Sequence, residues 1–386
     1  MKDNDKNYLF VDNIRFISMG CIIALHTHFF PLSVTNFASD VVVMQAMKFG
    51  TICFYIIGGF LLGTKLETGK PIDYFKRRLD STALPWLFWF FAYNALLVGS
   101  LFVRAQASVQ AVLSTGASTL LYTNYWFVPN FLFALGILLA FRKYFLHAWF
   151  GIFWFLVSML YGINLYFKWM PTEHTAAIFG FVFYLWLGYY ISTAQDRVLT
   201  FIHSLNWAWL GITLAASFAL ALVEAKMLAP RTGNFLNTIR ISNQVYSLVV
   251  FFSLLKIKRR VYPRWMNVQR HTFGLYLTHT VVYMVIVAAL VHFLARVLNI
   301  SGSYFYTRDL LPVANPALRI LIWIAAFGAT YSCSWMITSI IAISRFHSVV
   351  GAKETDSKSR PISFPHGLAL LSRAGYIHKS WIGRKK

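Results

Sequence analysis

Runs of about 20 predominantly apolar residues recur along this 386-residue chain, each long enough to cross a hydrocarbon core as a helix. Lipid offers backbone amides no partners, so a chain built of such runs folds as helices that satisfy their own hydrogen bonds. Composition agrees. Residues are 58% hydrophobic and only 12% charged, too few charges to cover a soluble surface. Ten spans are read, at roughly 8–30, 41–63, 84–104, 126–141, 148–166, 174–193, 205–226, 240–256, 272–295 and 317–343. The fold class expected is all-α: a polytopic helical membrane protein with about ten transmembrane helices.

The formal net charge of +22 fits either an acidic partner or the excess of Lys and Arg on cytoplasmic loops. Its distribution separates the two. With the N-terminus in the cytoplasm, 25 of the 35 Lys and Arg fall on the inner side, which is the positive-inside pattern. An even number of spans then places both termini in the cytoplasm. The expected location is a membrane, and nucleic acid is not an expected partner. The first span is interrupted by Asp12 and Arg15, and no small-x-small site follows before Pro31, so it is read as a retained helix rather than a cleaved signal.

Residues 1–343 form the expected transmembrane domain, and 344–386 a short basic cytoplasmic tail. In that tail Leu370, Ala374, Ile377 and Trp381 have the spacing of a helix lying on the anionic leaflet, with a disordered basic segment as the alternative. The stretch 105–125 is rich in Ser, Thr, Ala and Gly and is expected to be a loop. Cys21, Cys53 and Cys333 each stand alone in an apolar span, which indicates packing rather than disulfides, and no metal site is expected. No phosphate-binding or dinucleotide glycine motif occurs.

The first span, "VDNIRFISMGCIIALHTHFF", holds Asp12, Arg15, His26 and His28. A charge in mid-membrane costs several kcal/mol, so one that persists usually lines a cavity. At about 100° per residue, Arg15 and His26 fall within about 20° of one another on the helix, whereas His28 points about 140° from Arg15. With Tyr8 at the inner surface, Arg15 lies about 10 Å in and His26 about 27 Å in. An extended, phosphate-bearing ligand fits that span. The plain alternative is that Arg15 snorkels to the inner interface and His26 bonds a neighbouring carbonyl. Lys48, His28 and His292 carry no assignment.

The D-x-x-R of Asp12 and Arg15, followed by His26, resembles the acyltransferase-3 family of membrane O-acyltransferases. Four further stretches agree in order: "FYIIGGFLLG" at 54–63, with Gly58 where serine is usual; "YFKRRLDSTALPWLFW" at 74–89; "YWFVPNFLFALGILL" at 125–139; and "FGLYLTH" at 273–279. The resemblance implies transfer of an acyl group, usually acetyl, from cytoplasmic acyl-CoA to a sugar hydroxyl, often in a cell-surface polysaccharide. It marks Arg15 and His26 as the two essential positions. Many relatives carry a further arginine where this chain has Ser81, so part of the phosphate clamp must come from Lys76, Arg77 and Arg78, or from the basic loop 256–271.

Under that implied reaction, acyl transfer to an alcohol requires a base for the hydroxyl proton. His26 suits the role, because neutral imidazole is abundant near pH 7. A covalent acyl-histidine is the less economical alternative. The phosphates of the donor, acetyl-CoA or another acyl-CoA, favour Arg77 and Arg78 at the cytoplasmic mouth and Arg15 deeper. His279 and Tyr276 are placed in the donor pocket, level with Arg15, with a histidine satisfied between helices as the alternative for His279. Trp126 is a candidate platform for the carbohydrate acceptor. The competing reading, from another class, is a carrier that moves acyl groups or glycans through the membrane lipid without transferring them.

Overall fold

The structure, a computed structural model, describes residues 8–28, 37–66, 71–297 and 316–352. The tail positions Leu370, Ala374, Ile377 and Trp381, and the side chain of His292, lie outside the described residues. Thirteen α-helices are present among the described residues, and no strand. They are α1 (Leu9–His26), α2 (Phe37–Met47), α3 (Gly50–Leu66), α4 (Pro71–Val103), α5 (Val109–Tyr122), α6 (Phe127–Ala140), α7 (Ala148–Phe167), α8 (Val182–Thr193), α9 (Gln195–Ser204), α10 (Trp207–Leu228), α11 (Ile241–Leu255), α12 (Val268–Val297) and α13 (Pro316–Ile343).

Among the described residues six helical stretches, α2 and α3 counted as one, are long and apolar enough to cross a membrane, seven if the bent α5–α6 pair counts as one span. Two of the other expected spans are short for a hydrocarbon core about 30 Å thick: α8 has 12 residues and α11 has 15. Large apolar side chains such as Leu84, Phe91, Trp209 and Leu321 stand exposed around the outside, as lipid-facing residues do and a soluble surface does not.

Three boundaries differ from those read in the sequence. Helix α4 begins at Pro71 and runs through Pro85 without a break. Pro71 sits at the first helical position, where a missing N–H costs nothing. The basic cluster Lys76, Arg77 and Arg78 therefore stands on helix rather than in a loop. Residues 105–125, expected to be a loop, contain α5, whose N-cap Ser108 accepts from the backbone N–H of Ala111. The second span is broken, since α2 ends at Met47 and α3 starts at Gly50.

Packing rests on small residues where backbones meet. A Cβ on Gly59 would stand 1.8 Å from the carbonyl oxygen of Leu185, and one on Gly188 would stand 1.8 Å from that of Ile56. Both positions must be glycine for α3 and α8 to touch along their backbones. Between helices, Glu224 of α10 accepts from Ile241 N–H at 3.2 Å, Ser242 N–H at 2.9 Å, Tyr166 O–H at 2.8 Å, and the Ser242 hydroxyl. A carboxylate thereby caps the N-terminus of α11, where unpaired amides and the helix dipole favour negative charge. Arg240, fully buried, donates to the carbonyls of Asn237 and Ala221 and to the Gln45 side chain. Asp40 accepts from Arg319 and faces His28 at 3.3 Å.

Candidate active site

A single cavity of about 2660 Å³ runs through the bundle, and Arg15, Arg77, Arg78, Tyr276, His26 and Trp126 all line it. Of the site residues read from the sequence, only His279 does not reach its surface. The basic end also receives Arg197 and Arg270.

Arg15 is set by its own helix. Its Nη1 donates to Asp12 Oδ1 one turn earlier at 3.0 Å, and Asp12 Oδ2 accepts from Tyr262 O–H at 3.4 Å. Asn13 beside it pins the basic loop: its Nδ2 donates to the carbonyl of Arg259 at 2.8 Å, and its Oδ1 accepts from Val261 N–H at 3.1 Å. The short "DNIR" stretch thus aims the guanidinium and holds the loop 256–267 against the same helix end. Arg78 donates from Nε to Tyr74 O–H at 3.1 Å, and its neighbour Arg77 is exposed. Ser81 lines the cavity with no charge, its Oγ bonded to the carbonyl of Arg78 at 3.3 Å. Arg270 follows the basic loop at the start of α12. Its Nη2 donates to the carbonyl of Ala342 at 2.7 Å, and it brings to the mouth a cation that Ser81 cannot.

At the other end, the rings of His26 and His279 lie nearly parallel, 11° apart with centroids 5.1 Å apart, and meet edge to edge with His26 Nδ1 2.9 Å from His279 Nε2. His279 Nδ1 faces two backbone carbonyls, Tyr276 at 2.8 Å and Leu275 at 3.1 Å. Carbonyl oxygens only accept, so the proton of a neutral His279 sits on Nδ1 and its Nε2 is an acceptor. His26 Nδ1–H must then donate to that Nε2. This leaves His26 Nε2 with a bare lone pair, on a side chain that is exposed and lines the cavity while His279 is wholly buried.

This arrangement corrects the expected place of His279. The span boundary puts it level with Arg15, but it touches His26. Helix α12 starts at Val268, four residues before the expected span, which accounts for about 6 Å of the offset along the axis; the rest comes from how α12 packs against α1, which hydropathy does not set. Tyr276 does line the cavity, with its hydroxyl donated to the backbone carbonyl of Asn124. Trp126 also lines it, though it is 8% exposed and packs edge-on against His174 at 4.9 Å.

Sequence reasoning passed over Asn124 and His174. Asn124 sits in the turn between α5 and α6, which are bent by 73°. Its Nδ2 donates to the carbonyl of Tyr276 at 2.9 Å, and its Oδ1 accepts from Thr280. It therefore braces the turn of α12 that carries His279. An asparagine just before an aromatic apolar run was the available signal, since non-helical backbone at membrane depth needs side-chain partners. His174 lies in the non-helical stretch before α8 and has no periodicity to mark it. Among the described residues no group of three or more His, Cys, Asp and Glu is arranged to hold a metal.

A tethered imidazole at one end of a cavity and a row of arginines at the other suit group transfer. Comparison with protein families agrees: the family model described as an acyltransferase domain matches residues 8–339. The chain belongs to the acyltransferase-3 family. Neither the comparison with curated proteins nor that with solved structures gave a match. The matched stretch covers every cavity-lining residue of this acyltransferase except Gly351 and Ala352.

Proposed function

We propose that this acyltransferase is an O-acetyltransferase of the cell inner membrane, moving acetyl from cytoplasmic acetyl-CoA to a hydroxyl of a carbohydrate, in a cell-surface polysaccharide or its lipid-linked precursor. The observation that carries the reading is the hydrogen-bond chain from the backbone of α12 through His279 to His26, ending in a free Nε2 inside the cavity. The ten-span topology with both termini cytoplasmic goes with it. The spans are α1, α2 with α3, α4, α6, α7, α8, α10, α11, α12 and α13, the short helices crossing where neighbours bury them.

In this reading Arg77, Arg78 and Arg270 meet the donor phosphates at the cytoplasmic mouth, and Arg15 takes a phosphate or the pantetheine arm further in. The acceptor sugar rests beside Trp126, where an indole face suits the apolar side of a pyranose. His26 Nε2 withdraws the hydroxyl proton as the oxygen attacks the thioester carbonyl. His279 holds the ring by accepting from Nδ1–H, so the base keeps one tautomer and one orientation. When the tetrahedral intermediate collapses, the C–S bond breaks and the imidazolium returns its proton to the CoA thiolate.

The test uses the purified full chain in lipid nanodiscs with [14C]acetyl-CoA and glycan from a cell envelope. Label on alkali-labile esters of the glycan, with one CoA thiol released per ester, is the expected result. Proteoliposomes that move label or glycan across the bilayer with no ester formed would overturn it in favour of a carrier.

A further inference from the structure

Lys48 is a lysine in the middle of a membrane-spanning segment, and the roles assigned above leave it unused. An intramembrane lysine is costly unless it pairs or lines a water-filled space. Glu224, Arg240 and Asp40 show the first solution in this chain. Lys48 shows the second: its ammonium makes no hydrogen bond or ion pair among the described residues, and it lines the cavity.

The fold goes to some trouble to put it there. Met47 ends α2 and Gly50 starts α3, so Lys48 stands in a break of the helix, and irregular backbone at this depth persists where it borders a cavity. The break is pressed against α1: a Cβ on Gly50 would lie 2.9 Å from the carbonyl oxygen of Ser18 and 3.0 Å from the side chain of Ile22. Glycine at 50 is what allows the approach. It sets Lys48 beside the outer turns of α1, within electrostatic reach of both His26 and His174. Thr51, in the first turn of α3, lines the cavity beside it, so the positive end of that helix adds to the same field.

Attack on a thioester carbonyl pushes an electron pair onto its oxygen, and preorganised donors aimed at that developing charge commonly supply the largest single share of an enzyme's acceleration. The arginines at the basic end are committed to a donor phosphate in the reading above. We infer that Lys48 is the electrophilic partner of His26: its ammonium donates to the carbonyl oxygen of the acetyl thioester as that oxygen becomes an oxyanion. The acceptor C–O bond forms as the C=O pair moves to oxygen and the hydroxyl proton moves to His26 Nε2. The C=O bond then reforms as the C–S bond breaks, and the thiolate takes the proton from His26. Lys48 stays protonated throughout. This rests on the proposed acetyl-CoA transferase activity.

The test measures CoA thiol release from acetyl-CoA by the full chain in nanodiscs, with the cell-envelope glycan as the hydroxyl acceptor, for wild type and for His26→Ala, Lys48→Met and Lys48→Arg. Expected for Lys48→Met is a fall in kcat of about 10²-fold or more, with KM for acetyl-CoA and the unfolding temperature unchanged; Lys48→Arg recovers part of the rate. Wild-type kcat in Lys48→Met, or a loss that Lys48→Arg does not relieve, overturns the assignment. If His26→Ala is inactive while Lys48→Met is not, only the role of Lys48 fails. If His26→Ala turns over normally, the transferase mechanism fails with it.

Discussion

Glu224 and His26 both lie inside this helical bundle, yet one is wrapped on every side and the other is left open. The Glu224 carboxylate accepts from two backbone amides, a tyrosine and a serine. His26 spends one nitrogen on His279 and presents the other to a cavity. The difference separates two reasons for placing a polar group in a membrane. A group whose every lone pair is used holds helices together; one with a position to spare has a vacancy for a ligand.

The comparison breaks if the open group proves dispensable. Replacing His26 with Ala is expected to lower acetyl transfer by about 10³-fold, with little change in the unfolding temperature of the solubilised protein. Glu224→Ala should do the reverse. It strands the amides of Ile241 and Ser242 at the start of α11 and costs about 3 kcal/mol of stability, seen as a lower unfolding temperature, while protein that remains folded keeps its kcat. His279→Ala lies between them. The ring of His26 survives but loses its anchor, and a misplaced base lowers kcat by up to about 10²-fold without a matching rise in KM for acetyl-CoA. The smallest effect is expected at the mouth. Arg77→Ala and Arg78→Ala should each raise KM for acetyl-CoA about tenfold, or about 1.4 kcal/mol, and added salt should narrow the gap from wild type because charges open to solvent are screened.

Helical periodicity alone placed Arg15 and His26 on one face of α1, and both line the cavity. That inference needed only one helix. The role of His279 needed two, because the height of α12 against α1 is set by packing between distant segments, and the span boundary read from hydropathy also came four residues late. Breaks were hidden for a similar reason. An apolar window passes straight over Lys48 and Phe49, although the helix stops on one side and restarts on the other. Pro85 misled in the opposite sense. Proline usually marks a helix start, but α4 continues through it, so the basic cluster before it rides on helix. Seven of the expected spans show through in length and apolarity once α5 and α6 are joined. The shorter helices α8 and α11 draw their shelter from partners, which no local reading of the sequence reveals.

The anchoring of His279 also governs where protons can travel. Its Nδ1 hydrogen is directed at the carbonyls of Tyr276 and Leu275, which cannot release another in exchange. A proton gained by His26 therefore meets an insulated end behind it and can leave only forward, into the chamber that holds the reactants. Two hydrogen-bonded imidazoles have the makings of a conducting wire; here the helix backbone terminates it, so a proton taken up by His26 is kept on the side of the cavity.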